Sequence, residues 1–492
     1  MLYRISKTEK FVHPGMYLGM LIGFVAVMSF FVWMKQGIRL DEAQSIWQTS
    51  RDLPGVLTII AKDVHVPFYF VGLHFWEVLF GTGLFTIRFF SLLFFFLALP
   101  AIFYLAKESY NYRVAYGVAL MTAVSPFLNW YGSEARMYSL IFLLTTCSHL
   151  LFVRLWKAPQ TSYWYYYAIV SIVGLFTHFF FAFVVVVQVV FFLTHRTLFA
   201  PRSSARFSLI ALVALSCVGA WFWYRNIVGA GLNDPVLARP TSFDFFNVFS
   251  NFFIGFQTDS LNTILLSLWP ILVLVGFTFI SKRREHESET MYFIIASFLP
   301  IIMAFVVSAL LQPLFLSRYL IICLPSIYIL AVYYLSSYKG KIGDFAVSVL
   351  IVFMVLMLAV QAGEMRSPVK ENYKSAVEYI ERRAQPSDIF VVSAPFITYP
   401  VEYYYDGKAR LTTFPKWERY TESLVPEPYS PDLIETRMKE FAAVYEDMYL
   451  LLGYDQGYEE DVRLYMDTHY QRLEVKPFSP GLTLYVYRLR YI

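Results

Sequence analysis

Charge is scarce in this chain: only 15% of its 492 residues are Asp, Glu, Lys or Arg, and the formal net charge is +4. A soluble globular domain carries about 25% charged residues, so that class is excluded for most of the length. The small, dispersed positive excess offers no basic stripe for nucleic acid. Cysteine is nearly absent, and Cys147, Cys217 and Cys323 all fall inside apolar segments, where they read as packing residues with no disulfide role. The sequence has no Gly-rich strand-to-helix turn of the kind that cradles a pyrophosphate, which argues against a nucleotide-sugar pocket. No small-residue cleavage site follows Trp33, so the first apolar run reads as a retained helix and not as a signal peptide.

Apolar residues, in contrast, make up 58% of the chain and aromatics 19%. Bilayer-length apolar runs place expected spans near 15–33, 86–106, 114–131, 137–156, 163–177, 180–195, 207–227, 261–280, 291–311, 317–336 and 344–361, eleven in all. Aromatics crowd the ends of these runs (Trp33, Trp130, Tyr131, Trp221, Trp223), as interfacial belts do. The run at 67–80 is too short to span and fits an interfacial or re-entrant segment. With that segment not crossing, one set of loops holds Arg4, Lys7, Lys10, then Lys107, Arg113, Arg154, Lys157, Arg196, Arg202, Arg206, Lys282, Arg283, Arg284, Lys339 and Lys341. Basic short loops are cytoplasmic. The expected protein is therefore integral to the plasma (inner) membrane, with a cytoplasmic amino terminus and an extracytoplasmic carboxyl-terminal domain.

The chain then divides into a membrane domain, 1–362, and an extracytoplasmic domain, 363–492, whose composition turns soluble. In the latter, 373–383 has helical spacing, 388–394 reads as a buried strand, 399–405 as a helix closed by Asp406-Gly407, 448–452 as a second strand and 482–487 as an edge strand. Helices alternating with apolar strands predict a small α/β layer domain. Its own acids, Asp388, Glu402 and Asp406, have no partners at catalytic spacing.

This topology gathers Asp41, Glu42, Asp63, His65, Arg88, Glu134, Arg136, His178, Arg225, Asp234 and Arg318 on or near the outer face. The plain alternative is a set of solvated or snorkelling residues at the membrane surface. Arg318 in particular opens an apolar helix and is explained by snorkelling alone, and Glu134 could simply pair with Arg136. Yet acids, bases and histidines near bilayer level are expensive, and their convergence marks a site.

The carriers of the chemistry are Asp41-Glu42, the segment Asp63-Val64-His65-Val66-Pro67, Glu134-Ala135-Arg136, Thr177-His178 and Ser317-Arg318-Tyr319. In order and spacing, over about residues 10 to 335, they resemble the large membrane glycosyltransferases of the GT-C fold. The nearest group is the protein O-mannosyltransferase-like, family 39-type superfamily, which includes the lipid A aminoarabinose transferase and many bacterial members. Val66 departs from the family's His-Pro-Pro segment, although His65 matches. The resemblance implies a polytopic α-helical membrane protein that transfers a sugar from a polyprenyl-phosphate donor to an acceptor hydroxyl outside the cytoplasm, with inversion. Asp41 matches the family's base, with Glu42 as its catalytic partner or a substrate ligand. His65, Glu134, Arg136, His178 and Arg318 are the substrate-binding candidates. The residue types suit the chemistry independently: a hydroxyl nucleophile needs a carboxylate to take its proton, and a departing phosphate needs fixed donors, for which arginine is suited.

No cofactor is implied with certainty. A divalent metal stays open, since Asp41, Glu134 and His65 could converge on one; the resemblance implies such an ion for oligosaccharyltransferases of this fold and none for the mannosyltransferase-like branch. The expected partners are the lipid-linked sugar, a lipid, glycan or protein acceptor and the membrane, with no nucleic acid. Two other readings remain: a transporter or flippase for a lipid-linked sugar, against which stands the lack of paired half-sequences, and a GT-C-like polysaccharide polymerase or ligase, against which stand the carboxylates just after the first helix. The sugar and the acceptor are set by pocket shape, which sequence does not give.

Overall fold

Long apolar runs fold as helices because, in hydrocarbon, every backbone N–H and C=O must be satisfied within its own segment. The structure is a computed structural model describing residues 12–229, 238–256, 286–338, 341–364, 371–417 and 426–489. The described helices, in chain order, begin with α1 (Pro14–Met28), α2 (Leu40–Thr49), α3 (Leu53–Lys62), α4 (Phe68–Phe80), α5 (Leu84–Ser109), α6 (Tyr112–Val124) and α7 (Pro126–Gly132). They continue with α8 (Tyr138–Lys157), α9 (Thr161–Thr177), α10 (Phe181–Thr194), α11 (Ser203–Ile227), α12 (Ser242–Ile254), α13 (Glu287–Leu310), α14 (Leu324–Ser336) and α15 (Lys341–Gly363). After the last apolar helix come α16 (Tyr373–Glu381), α17 (Thr398–Tyr404), α18 (Pro431–Val444) and α19 (Glu459–His469), interleaved with five strands. Two compact units emerge: residues 1–35 with 64–363, and residues 36–63 with 364–492.

The first unit is a helical bundle. Among the described residues, seven of its helical stretches are long and apolar enough to cross a membrane. The segment expected as one span at 114–131 is α6 and α7, broken at Ser125-Pro126. Pro126 lacks the N–H that would continue α6, while the Ser125 hydroxyl accepts from the Leu128 amide at 3.1 Å and so starts α7. The segments at 163–177 and 180–195 are α9 and α10, and 67–80 is the short α4. The span expected at 261–280 lies outside the described residues, as does Asp234.

Side-chain bonds fix the helix directions within this unit. Ser91, near the start of α5, bonds the Arg136 carbonyl just before α8; Arg154, near the end of α8, holds Glu108, near the end of α5, at 2.5 Å. The two helices therefore run parallel, with α6 and α7 returning between them. Lys157 pairs with Glu289 at the start of α13 at 2.6 Å, and Arg113 with Asp344 at the start of α15 at 2.5 Å. One end of the bundle thus carries paired charges. The interior is packed with rings, Phe152 stacking on Tyr292 at 5.1 Å between centroids. Gly117 allows α6 to approach α14 closely, for a Cβ there would lie 2.7 Å from Val332. At the other end, buried polar groups knit the break in the α6–α7 segment: the Tyr328 hydroxyl meets Ser125 at 2.8 Å and donates to the Phe252 carbonyl at 2.5 Å, and Gln361 donates to the Pro126 carbonyl at 3.0 Å. Each such group would cost free energy if buried unpaired.

The second unit is built on a five-stranded sheet of β1 (Ile389–Ser393), β2 (Arg410–Thr413), β3 (Asp447–Gly453), β4 (Gln471–Ser479) and β5 (Leu482–Arg488), in the order β2-β1-β3-β5-β4. β1 is parallel to β2 and β3, and β3-β5-β4 is antiparallel. The side chains of β1 alternate between two cores: Phe390 and Val392 meet Val377 and Ile380 of α16 and Val401 of α17, while Ile389 and Val391 meet Ile434 and Met438 of α18 and Val462 and Met466 of α19. Helices on both faces make the expected α/β layers. One reading is corrected: 482–487 alternates like an edge strand but lies inside the sheet, because the charged stretch Gln471–Ser479 pairs outside it as β4. The helices α2 and α3 belong to this unit as well. Trp47 of α2 lies 5.2 Å from the Tyr399 ring of α17, and the Ile38 amide donates to the Tyr404 hydroxyl at 3.0 Å.

Candidate functional site

In the bundle, the end away from the paired charges collects basic and aromatic side chains. Arg136 is buried to 4% exposure and its Nη2 lies 2.6 Å from His65 Nε2. A guanidinium can only donate, so His65 Nε2 accepts and the ring's other nitrogen remains the donor. The Arg136 guanidinium also sits over the Phe70 ring at 5.8 Å, and the edge of that ring meets His65 at 5.4 Å. The backbone of Arg136 is held from behind: its carbonyl accepts from the Ser91 hydroxyl at 3.2 Å, which itself meets the Tyr69 hydroxyl at 2.8 Å. The Arg136 amide turns onto the Glu134 carbonyl at 2.6 Å, placing the buried Glu134 beside it.

His178 occupies the short turn between α9 and α10, with Nδ1 accepting from the Phe180 amide at 3.1 Å. Its Nε2 is then the donor. Burial first, and then the neighbouring basic groups His65, Arg136 and Arg318, favour the neutral ring. Tyr319 joins the remaining members, its ring 5.1 Å from His178 and 5.6 Å from the Arg318 guanidinium. Four of the binding candidates, His65, Arg136, His178 and Arg318, are therefore gathered in one place. Arranged this way, two guanidiniums and two imidazole N–H groups can receive an anion, since arginine forks match phosphate oxygens. Arg88 does other work: it donates to the Trp33 carbonyl at 3.0 Å and so closes the carboxyl end of the first apolar helix.

Asp41 and Glu42 lie in the second unit, in the first turn of α2, where acidic side chains complement the helix dipole. One Glu42 oxygen accepts from the Arg39 amide at 3.0 Å, which closes the turn and fixes the backbone at Asp41. Asp63 is engaged by Gln48 at 2.5 Å and Gln44 at 3.5 Å, which tie the end of α3 to α2. Sequence reasoning passed over Glu371, whose carboxyl lies in the electrostatic reach of Asp41 and Arg39; it sits in a polar stretch with no motif around it. It also passed over the role of Phe70 beneath Arg136, although that ring lies only three residues beyond the Pro67 that ends the His65 segment. Among the described residues, no group of three or more His, Cys, Asp and Glu side chains is gathered so as to hold a metal ion.

The bundle and its appended α/β unit have the GT-C glycosyltransferase fold. The dolichyl-phosphate-mannose-protein mannosyltransferase family model matches residues 64–221, the stretch containing His65, Glu134, Arg136 and His178. Among solved structures, ArnT from Cupriavidus metallidurans bound to undecaprenyl phosphate is similar over 96% of this chain and 98% of its own, with a TM-score of 0.60 and 12% identity. The arabinofuranosyltransferase AftD from Mycobacteria is similar over 98% of this chain and 40% of its own, with a TM-score of 0.53 and 12% identity. The Archaeoglobus fulgidus oligosaccharyltransferase in complex with Zn and sulfate gives a TM-score of 0.50 at 12% identity, over 95% of this chain and 72% of its own. No curated protein sequence matches the chain.

Proposed function

We propose that this protein is an inverting glycosyltransferase that moves a sugar from a polyprenyl-phosphate donor to an acceptor hydroxyl on the extracytoplasmic face of the membrane. The observation that carries the reading is the convergence of Arg136, Arg318, His65 and His178 at one end of the bundle. There they would hold the carrier phosphate and stabilise the charge that grows on it as the sugar departs. The undecaprenyl phosphate bound by ArnT supports this carrier class. The opposite end of the bundle carries Lys107 in the last turn of α5, Arg113 in the first turn of α6, and Arg154 and Lys157 in the last turn of α8; by the positive-inside rule that end would be the cytoplasmic one.

Asp41 would take the proton of the acceptor hydroxyl, and Glu42 would hold the turn that presents it. Glu134 would complete the polar surroundings of Arg136. A single direct displacement then inverts the anomeric carbon. The test is purified protein incubated with a polyprenyl-phosphate sugar and an extract of cell-envelope acceptors, with release of the free polyprenyl phosphate measured against a nucleotide-sugar control. Consumption of the nucleotide sugar without any lipid carrier would overturn the reading. Movement of the intact lipid-linked sugar across proteoliposomes without its cleavage would favour a transporter in its place.

A further inference from the structure

Glu371 immediately precedes Asn372, which caps α16 through the Ser375 amide at 3.2 Å, and it lies against the segment leading into α2. A Cβ at Gly37 would stand 3.1 Å from the Glu371 carbonyl oxygen, so glycine allows the two stretches of backbone to approach. One residue later, the bond from the Ile38 amide to Tyr404 fixes the entry to α2, and Asp41 follows in its first turn. The Glu371 carboxyl bonds with Tyr373 and feels Asp41 and Arg39. Tyr373 in turn faces Tyr454 and Glu459 beyond β3. A second carboxyl thus lies within electrostatic reach of the first, in the same unit.

We propose that Glu371 is a positioning residue for Asp41, setting how tightly Asp41 holds the proton it takes from the acceptor. The proposal rests on the reading of Asp41 as the base. The bond changes stay as described: the acceptor O–H breaks to Asp41, the new C–O bond forms at the anomeric carbon, and the phosphate leaves with the electron pair of the old one. Glu371 exchanges no atom with substrate and acts through its charge. Once ionised it makes Asp41 more basic, as a like charge nearby must. Burial, opposed by the bond from Tyr373 and reinforced by the charge of Asp41, lifts the Glu371 carboxyl to about 7, so the change falls in the neutral range.

Two measurements on the full-length protein test this. In the first, infrared spectra of wild type minus Glu371→Gln isolate the protonated-carboxyl band of Glu371 as pH is raised. That band should disappear near pH 7, and at lower pH in Asp41→Asn, where the repelling charge is gone. An unchanged midpoint in Asp41→Asn overturns the coupling, and this arm needs no enzymatic activity. In the second, the transfer rates of wild type and Glu371→Gln are compared: they should agree at pH 6 and differ by roughly tenfold at pH 8, the wild type being faster, a smaller effect than loss of the base itself. Glu371→Asp should restore the rise. A rate ratio constant with pH, as a purely structural role would give, overturns the proposal. Failure of every lipid-linked donor with a normal infrared result instead overturns the reading of Asp41 as a base.

Discussion

Replacing Arg136 by alanine removes the best-supported member of the basic cluster. Its guanidinium is nearly fully buried, bonded to His65 at 2.6 Å and placed over Phe70. Buried charges are little screened by salt, so its attraction for a phosphate persists at physiological ionic strength. Truncating one partner of a buried, hydrogen-bonded charge pair costs about 2–5 kcal/mol, which corresponds to a roughly 30- to 5,000-fold weaker Kd. Arg136→Lys keeps the charge but loses the planar fork, and about tenfold weakening is expected for it. The assay is binding of undecaprenyl phosphate to the purified protein by native mass spectrometry, with thermal unfolding alongside to establish that each variant folds. A folded Arg136→Ala protein that binds the lipid phosphate within threefold of wild type would refute the assignment of this cluster to the carrier.

Asp41→Asn preserves shape but removes the base, so turnover should fall by roughly two to four orders of magnitude while lipid-phosphate binding is retained; a near-normal rate in a direct transfer assay sinks the mechanism. Glu42→Ala removes the oxygen that closes the first turn of α2, and thermal unfolding should register a loss of about 1 kcal/mol, with Glu42→Gln close to wild type. Cysteines at the exposed Ser50 and Ser204 report orientation: an impermeant reagent applied to intact cells should label the first and spare the second, and the reverse pattern inverts the topology. Glu371 and Glu459 are each lifted to about 7, chiefly by burial. Unfolding frees them to ionise near the usual 4.5, so they favour the folded state fully below that pH and progressively less up to about 7. The melting temperature should therefore decline over that window, and less steeply in Glu371→Gln and Glu459→Gln.

The sequence carried the bundle because apolar length is a direct record of hydrocarbon thickness, and it singled out His65, Arg136, His178 and Arg318, which the structure gathers, as candidates because charge in such surroundings is expensive. Other features lay beyond it for physical reasons. The place of β4 depends on pairing with β5 across a turn, and its alternation of charged and apolar residues reads equally well as exposed loop. The company of α2 depends on single contacts to Tyr399 and Tyr404, hundreds of residues away, which no local period records. Glu371 owes its character to burial, a property of the finished packing and not of its neighbours in sequence.

The bond between Ile38 and Tyr404 joins residues 366 positions apart, and this has a consequence for biogenesis. Ribosomes add about 5–20 residues per second, so the segment with Asp41 is made roughly 20 to 70 s before the residues that complete its core. During that interval Trp47 has no Tyr399 to pack against, and the early loop must wait in an unfinished state. Substitutions at this seam would accordingly show themselves in the yield of mature protein, through capture of the waiting segment by proteases, more than in the behaviour of the molecules that finish folding.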